Sequence, residues 1–451
     1  MKTHASLSPN ETEIISAPLS EANQAFMRRY PGESNRRQAV HTVYGGAHLF
    51  KAESAQRLGA VALRSLEENA PDAAALAAAL GMSGDQPLAQ LVYDRIIEKL
   101  RREPVEDFRL DFEDGYGNRP DAEEDEHAAA AAAEVARGLK ENTLSPFIDI
   151  RIKPLNEDLR ARSMRTFDIF VSTLTNATEG KLPPNFVITV PKIQLPEQVA
   201  AAVRLFAAIE KKTGLPEGAL RLEPMIETPQ AIINQRGEVA LQSLVEAAEG
   251  RCQSVHFGVY DYTANCGITA AYQTMGHPAC DFARQMMLVS LAGTGVHLSD
   301  GATNILPVGP HRASEGKPLT PTQVEENRTS VHAAWRLGFN DNLHSLRSGY
   351  YQGWDLHPAQ LVTRYAAVFT FFLEGLTSAS NRLKTFVEKA ALASLFGDVF
   401  DDAATGQGLL NFFLRGIACG AITEAEALAT GLTLEEIRSR SFLKILQRLR
   451  G

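Results

Sequence analysis

Along most of the chain, short apolar runs alternate with longer stretches whose apolar residues recur at helical spacing. Eight short runs can be read: residues 39–45 (AVHTVYG), 107–112 (DFRLDF), 146–152 (PFIDIRI), 186–193 (FVITVPKI), 219–227 (ALRLEPMIE), 254–261 (SVHFGVYD), 295–300 (GVHLSD) and 351–358 (YQGWDLHP). Each is close to continuously apolar, as a strand covered on both faces of a parallel sheet must be. The stretches between them, such as DAAALAAAL, LAQLVYDRIIEKL and HAAAAAAEVA, are rich in good helix formers and predict helices.

Eight strands separated by seven helical segments predict an α/β fold, a (β/α)8 TIM barrel. A doubly wound open sheet would more often show a glycine-rich phosphate loop after its first strand, and YGGAHLF matches that pattern too loosely to use. Residues 1–35 are polar, carry capping signals (SPNETE, SEANQ) and predict an N-terminal helical lead-in. The barrel is expected over 36–375. From 376 to 451 only helical patterns occur, which predicts a C-terminal helical extension.

A chain of 451 residues, 44% hydrophobic, can bury a large core. Its net charge of -9 argues against nucleic acid or an anionic membrane as the main partner, since both want a basic face. The four cysteines, Cys252, Cys266, Cys280 and Cys419, show no CxxC spacing. Neither a disulfide framework nor a structural zinc site is expected, and a reducing cytoplasm is the default location. The first 24 residues have no apolar core of signal-peptide length. The most apolar stretch, YAAVFTFFLEGL, is broken by Glu374 and reads as a buried helix rather than a membrane span.

In a (β/α)8 barrel the chemistry sits at the C-terminal ends of the strands. Here those ends are charged. The second strand ends in Glu113 and Asp114, the third at Arg151 and Lys153, and the fourth at Lys192. The fifth ends at Glu227, with Glu223 four residues earlier, the sixth at Asp261, the seventh at Asp300 and the eighth at His357. So many carboxylates in one mouth cannot all ionise unless something neutralises them. Arg151 and Lys192 supply part of the offset, and a hard divalent cation would supply more. Mg2+ takes one or two protein carboxylates plus waters and substrate oxygens. Adjacent strands make Glu227 and Asp261 the best ligand pair, with Glu113 and Asp114 holding the metal's waters.

Plainer roles exist for individual members. An isolated acid at a strand end is most often a solvated residue or a helix cap. Asp300 suits a turn, Glu223 suits a structural pair with Arg221 or Arg151, and His357 before Pro358 suits a helix start. Asp111 reads as structural. His41 and His48 flank the end of the first strand and are minor candidates for touching substrate.

These strand ends resemble a known family. LDFEDGYG is similar to the LDLEDAV-type motif of the citrate lyase beta-subunit-like enzymes of the HpcH/HpaI aldolase group. IRIKP, TVPKIQLPEQV, EPMIETPQAI, VHFGVYDYTANCGI, GVHLSDGATN and GWDLHPAQL resemble that family's later segments, in order, along residues 36–375. The superfamily also contains malyl-CoA lyases and malate synthases. The resemblance implies a Mg2+-dependent enzyme (Mn2+ being an alternative) acting on a carbon–carbon bond of a 2-oxo or 3-hydroxy acid through a metal-stabilised enolate. It implies Glu227 and Asp261 as metal ligands and Glu113 and Asp114 as holders of metal-bound water. Arg151 would grip the substrate, with Lys192 and Thr228 as further substrate-binding candidates.

Two departures stand out. Lys153 replaces the family's Asn after the third-strand arginine and is expected to add positive charge near the mouth. The C-terminal DGxMID-like segment, which carries a catalytic aspartate in CoA-using members, is missing. Asp398, Asp401 and Asp402 of FGDVFDD are the stand-ins for a general base, and the case for a CoA thioester is weakened. The expected partners are a small oxo or hydroxy acid and further copies of the chain. The competing readings are phosphoryl transfer on an enolpyruvate, served by Lys153 and Lys192, and a non-catalytic ligand-binding barrel.

Overall fold

The computed structural model describes residues 6–32, 36–82, 84–314, 316–390, 403–439 and 445. Eight strands form one closed, parallel barrel in sequence order: β1 (His41–Gly46), β2 (Asp107–Asp111), β3 (Phe147–Arg151), β4 (Val187–Val190), β5 (Arg221–Ile226), β6 (Ser254–Phe257), β7 (His297–Ala302) and β8 (Gln352–Asp355). β8 returns to pair with β1 through Gly353 beside His41 and Asp355 beside Val43. Every expected strand is present. Several end earlier than their apolar runs, and the sixth run continues into the first turn of the next helix. Asp261 illustrates this: β6 stops at Phe257, and Asp261 stands in the first turn of helix Val259–Asn265.

Three helices, Ser54–Asn69, Ala73–Leu80 and Gln86–Arg102, fill the long connection from β1 to β2. Local chemistry sets their bounds. Asp72 and Asp85 accept the capping N–H groups of Ala75 and Leu88. Gly81 ends the second helix with φ +72°, a left-handed conformation that glycine adopts freely. The helix Gln360–Ala390 is unbroken and runs through the expected 375/376 boundary. At the other end, Pro9–Arg29 is a single helix opened by a Ser8–Glu11 capping box.

The layer between strands and helices is packed with large apolar groups such as Phe167, Phe170, Phe206, Trp335 and Tyr365. The barrel interior is different. Its lower part holds Arg109, wholly buried, whose Nη2 lies 2.8 Å from Asp107 Oδ2 and 3.1 Å from Glu223 Oε2. Its Nη1 donates to Thr189 Oγ1 at 2.7 Å, and Asp149 is 3.5 Å from its Nε. Glu223 therefore pairs across the interior with Arg109, and not with Arg221 or Arg151. Burial opposes its charged form, but the guanidinium outweighs this and holds its carboxyl well below the usual range. Burial and the neighbouring Asp107 push Asp149 the other way, well above the usual range.

Candidate active site

Asp111, the last residue of β2, organises the mouth of the barrel. Its two oxygens take Arg151 Nε and Nη2 at 2.7 and 2.5 Å, a forked pair. The same oxygens accept the backbone N–H groups of Glu113 and Gly115 at 2.9 and 2.7 Å. One carboxylate thus fixes the arginine and curls the following loop back over it. Gly115 is required for this, since a Cβ there would lie 2.6 Å from Asp111 Oδ2. With Nε and Nη2 taken, Arg151 Nη1 remains, 3.2 Å from Glu113 Oε2 and 3.9 Å from both Asp114 Oδ2 and Met225 Sδ. Two touching aromatic rings lie against the guanidinium, Tyr44 at 4.5 Å and Trp354 at 5.5 Å, with their own centroids 4.5 Å apart. Both rings sit on strands, but a sequence pattern gives no sign that they frame an arginine.

Lys192 follows β4 with φ +52°, a left-handed conformation that costs a side-chain-bearing residue free energy. The turn points its backbone N–H at Glu227 Oε1, 2.5 Å away. Its Nζ lies among three further carboxylates: Glu113 at 2.6 Å, Asp114 at 3.4 Å and Asp261 at 3.4 Å. The structure therefore brings Arg151, Glu113, Asp114, Lys192, Glu227 and Asp261 into one cluster, from the C-terminal ends of β2 to β6. Gly258 is a further requirement. Its Cβ would fall 2.6 Å from both Cβ and Oε2 of Glu227, so only glycine leaves room for that carboxyl.

The electrostatics follow burial. Glu227 is fully enclosed, and desolvation pushes its carboxyl up to about 8; Lys192 opposes the shift, while Asp261 and Glu113 add to it. Burial also raises Glu113, against the pull of Arg151. Burial works in the same sense on Asp114, but Arg151 and Lys192 outweigh it and hold that carboxyl below the usual range. Desolvation disfavours charge on Lys192, yet Glu227 and Glu113 keep its ammonium protonated far above neutrality.

Other expected residues lie elsewhere. Thr228 is buried, and its hydroxyl donates to the Ile193 carbonyl at 2.8 Å, tying the ends of β4 and β5 together. Lys153 does not add charge to the mouth: its Nζ donates to the Phe112 carbonyl at 2.6 Å and meets Glu124 at 3.1 Å on the helix Asp121–Glu141. Asp300 faces the helical layer, gripped by Arg284 Nε at 2.9 and 3.0 Å and by the Ser345 hydroxyl at 2.6 Å. His357 Nδ1 accepts the Ala359 N–H at a helix start. His41 opens β1 at the opposite end of the barrel, is fully buried, and accepts the Glu106 N–H at 3.2 Å. His48 stands at the rim, its ring 5.3 Å from Tyr116 and 5.7 Å from His127. Asp398, Asp401 and Asp402 lie outside the described residues.

The donor set of the cluster suits a hard cation. Its four acids offer only carboxylate oxygens, and Glu113 Oε2 is a buried oxygen without a well-aligned hydrogen bond. Among the described residues no group of three or more His, Cys, Asp or Glu side chains forms a ready-made metal cage. A cation that keeps most of its waters does not need one, since one or two carboxylates suffice.

Fold and mouth together define a parallel (β/α)8 barrel with a carboxylate-rich C-terminal face. The chain belongs to the family described as a domain of unknown function, DUF6986, whose family model matches residues 19–445. No curated protein matches it in sequence. Among solved structures it is similar to a citrate lyase from Burkholderia xenovorans LB400, at 16% identity and a TM-score of 0.55, with 88% of this chain and 97% of that chain covered. It is also matched to a malate synthase of Haloferax volcanii in a magnesium and glyoxylate complex, at 14% identity and a TM-score of 0.45, covering 92% and 98% of the two chains. At these identities the likeness to the citrate lyase establishes the shared fold. No helix among the described residues is long and apolar enough to cross a membrane.

Proposed function

We propose that the mouth of this barrel makes or breaks a carbon–carbon bond beside the carbonyl of a small 2-oxo or 3-hydroxy acid, with Mg2+ or Mn2+ as cofactor. The observation that carries the reading is the convergence of Glu113, Asp114, Glu227 and Asp261 on Lys192, next to the Arg151 guanidinium that Asp111 holds. The ordered strand-end motifs support it, as does the fold shared with a citrate lyase. Glu227 and Asp261 would hold the cation, and Glu113 and Asp114 its waters. When bound, the cation would supply Lewis-acid polarisation of the substrate carbonyl.

The chain's own residues do the rest. Arg151 Nη1 and Lys192 Nζ place positive charge where an enolate oxygen develops as the bond breaks. Asp111, Tyr44 and Trp354 hold Arg151 in place, so its orientation costs no reorganisation during the reaction. Lys153, spent on Phe112 and Glu124, is not presented to a substrate, so the phosphoryl-transfer alternative loses one of its two cations.

The test is a panel of 2-oxo, 3-hydroxy and acyl-CoA acids incubated with Mg2+, with carbon–carbon cleavage followed by NMR. Cleavage is expected with the intact chain and should be lost in Glu227→Ala and Asp261→Ala, while thermal unfolding stays close to that of the parent. Full turnover in either variant, or in excess chelator, would sink the assignment.

A further inference from the structure

The helix Pro9–Arg29 runs for 21 residues without one buried residue, and Pro18 lies inside it. Free helices of this length are marginal in water, and an interior proline costs roughly 3 kcal/mol more. Helical order here therefore needs a surface to pack on. The sequence shows which side of the helix would be covered. Ile15, Leu19, Ala22 and Phe26 recur at i, i+4, i+7 and i+11, while Glu13, Ser20, Gln24 and Arg28 occupy the opposite side. Ile15, Leu19 and Phe26 are 62, 58 and 63% exposed.

The root of the helix is anchored. Arg29 meets Glu246 at 2.5 Å, and the Gly32 N–H donates to the Gly293 carbonyl at 2.8 Å. The helix Pro278–Leu291, which leads into Gly293, carries a second uncovered stripe. Phe282 is 48% and Val289 74% exposed, with Met286 half-buried between them at i+4. The chain's own N-terminal helix covers neither residue.

We propose that helix Pro9–Arg29 is an exchange arm: it packs its apolar stripe on Phe282, Met286 and Val289 of a second copy of this chain and receives that copy's arm in return. Because each copy carries both arm and receptor, a reciprocal exchange between two copies is two-fold and closes on itself. The area is sufficient. Ile15, Leu19 and Phe26 each expose more than half their surface, and Val289 and Phe282 about three-quarters and half of theirs. At roughly 100 Å2 apiece, the stripe and receptor side chains of two reciprocal contacts remove about the 1,000 Å2 that a specific interface needs.

The test uses the full chain. Light scattering at micromolar concentration should give a dimer. The arm variant I15D/L19D/F26D and the receptor variant F282D/V289D should each be monomeric, with the barrel's thermal unfolding unchanged. Mixed together they keep one intact arm–receptor contact and should form a dimer that neither forms alone. Amides of residues 9–29 should exchange roughly tenfold faster in the receptor variant, whose arm is untouched. A monomeric parent chain, including one that binds anionic vesicles through this helix, overturns the proposal. So does an oligomer that survives both variants, or a mixture that stays monomeric.

Discussion

Two clusters in this barrel each gather acids around one cation and have opposite character. In the interior, Asp107, Asp149 and Glu223 surround Arg109. At the mouth, Glu113, Asp114 and Asp261 surround the ammonium of Lys192, with Glu227 on its backbone N–H. The inner cation is a rigid fork whose donors are matched one by one, and it is fully enclosed. The outer one is a flexible ammonium with 31% of its side chain exposed, on a left-handed backbone. A guanidinium that is saturated and dry locks a structure. A partly exposed ammonium with one close acid at 2.6 Å and two at 3.4 Å can be displaced. The first cluster encloses its cation, and the second leaves its cation partly exposed.

The largest effect expected from breaking that contrast is at the inner cluster. Arg109→Met strands three buried acids and should cost about 3–5 kcal/mol in denaturant unfolding. A loss below about 1 kcal/mol would show that the interior network is not structural.

The next effect links the two clusters' neighbours. Asp111→Asn removes the charged half of the Arg151 fork but keeps hydrogen-bonding capacity. Turnover should fall roughly ten- to a hundredfold with stability changed by about 1–3 kcal/mol, as measured by kinetics beside thermal melts.

His41 belongs to the closed end of the barrel and gives a pH signature. Burial depresses its pKa to about 3, so the folded chain keeps it neutral where the unfolded chain takes up a proton. Its contribution is fully present above the unfolded value near 6.5 and is lost as pH falls. The loss should reach about 2 kcal/mol between pH 6.5 and pH 5. In His41→Gln that segment of the stability–pH curve should flatten, and an unchanged slope would assign it to other groups.

The smallest effect on stability, and the sharpest on exchange, is Lys192→Met. Unfolding should change by less than about 1 kcal/mol, because the ammonium is partly solvated and Arg151 still faces Glu113. Mn2+ binding followed by calorimetry should tighten, since the competing ammonium is gone. Weaker binding would mean that Lys192 orders the acids rather than competing for them.

Much of this molecule is legible in one sequence. Eight short runs and the helical spacing between them determine the barrel, because both faces of its strands are buried, charged residues such as Arg109 included. The same property hides which way each side chain points. Lys153, two residues after Arg151, belongs to the mouth only if the strand alternation continues. β3 stops at Arg151, and Lys153 turns outward to Glu124. Asp300 lies where the β7–β8 pairing is irregular, and it turns out to Arg284. His41 stands at the wrong end of its strand, which no local pattern reports.

By itself, then, the sequence determined the barrel, the order of its strands and the acidic residues near their ends. Only the tertiary structure decided which of those charges meet. Register and closure carried Arg109 across the interior to Glu223, laid Tyr44 and Trp354 against Arg151, and set Lys192 among carboxylates that follow β2, β5 and β6. The physical reason is that a covered strand records burial, which is local, whereas a charge finds its partner through space, across residues far apart in the chain.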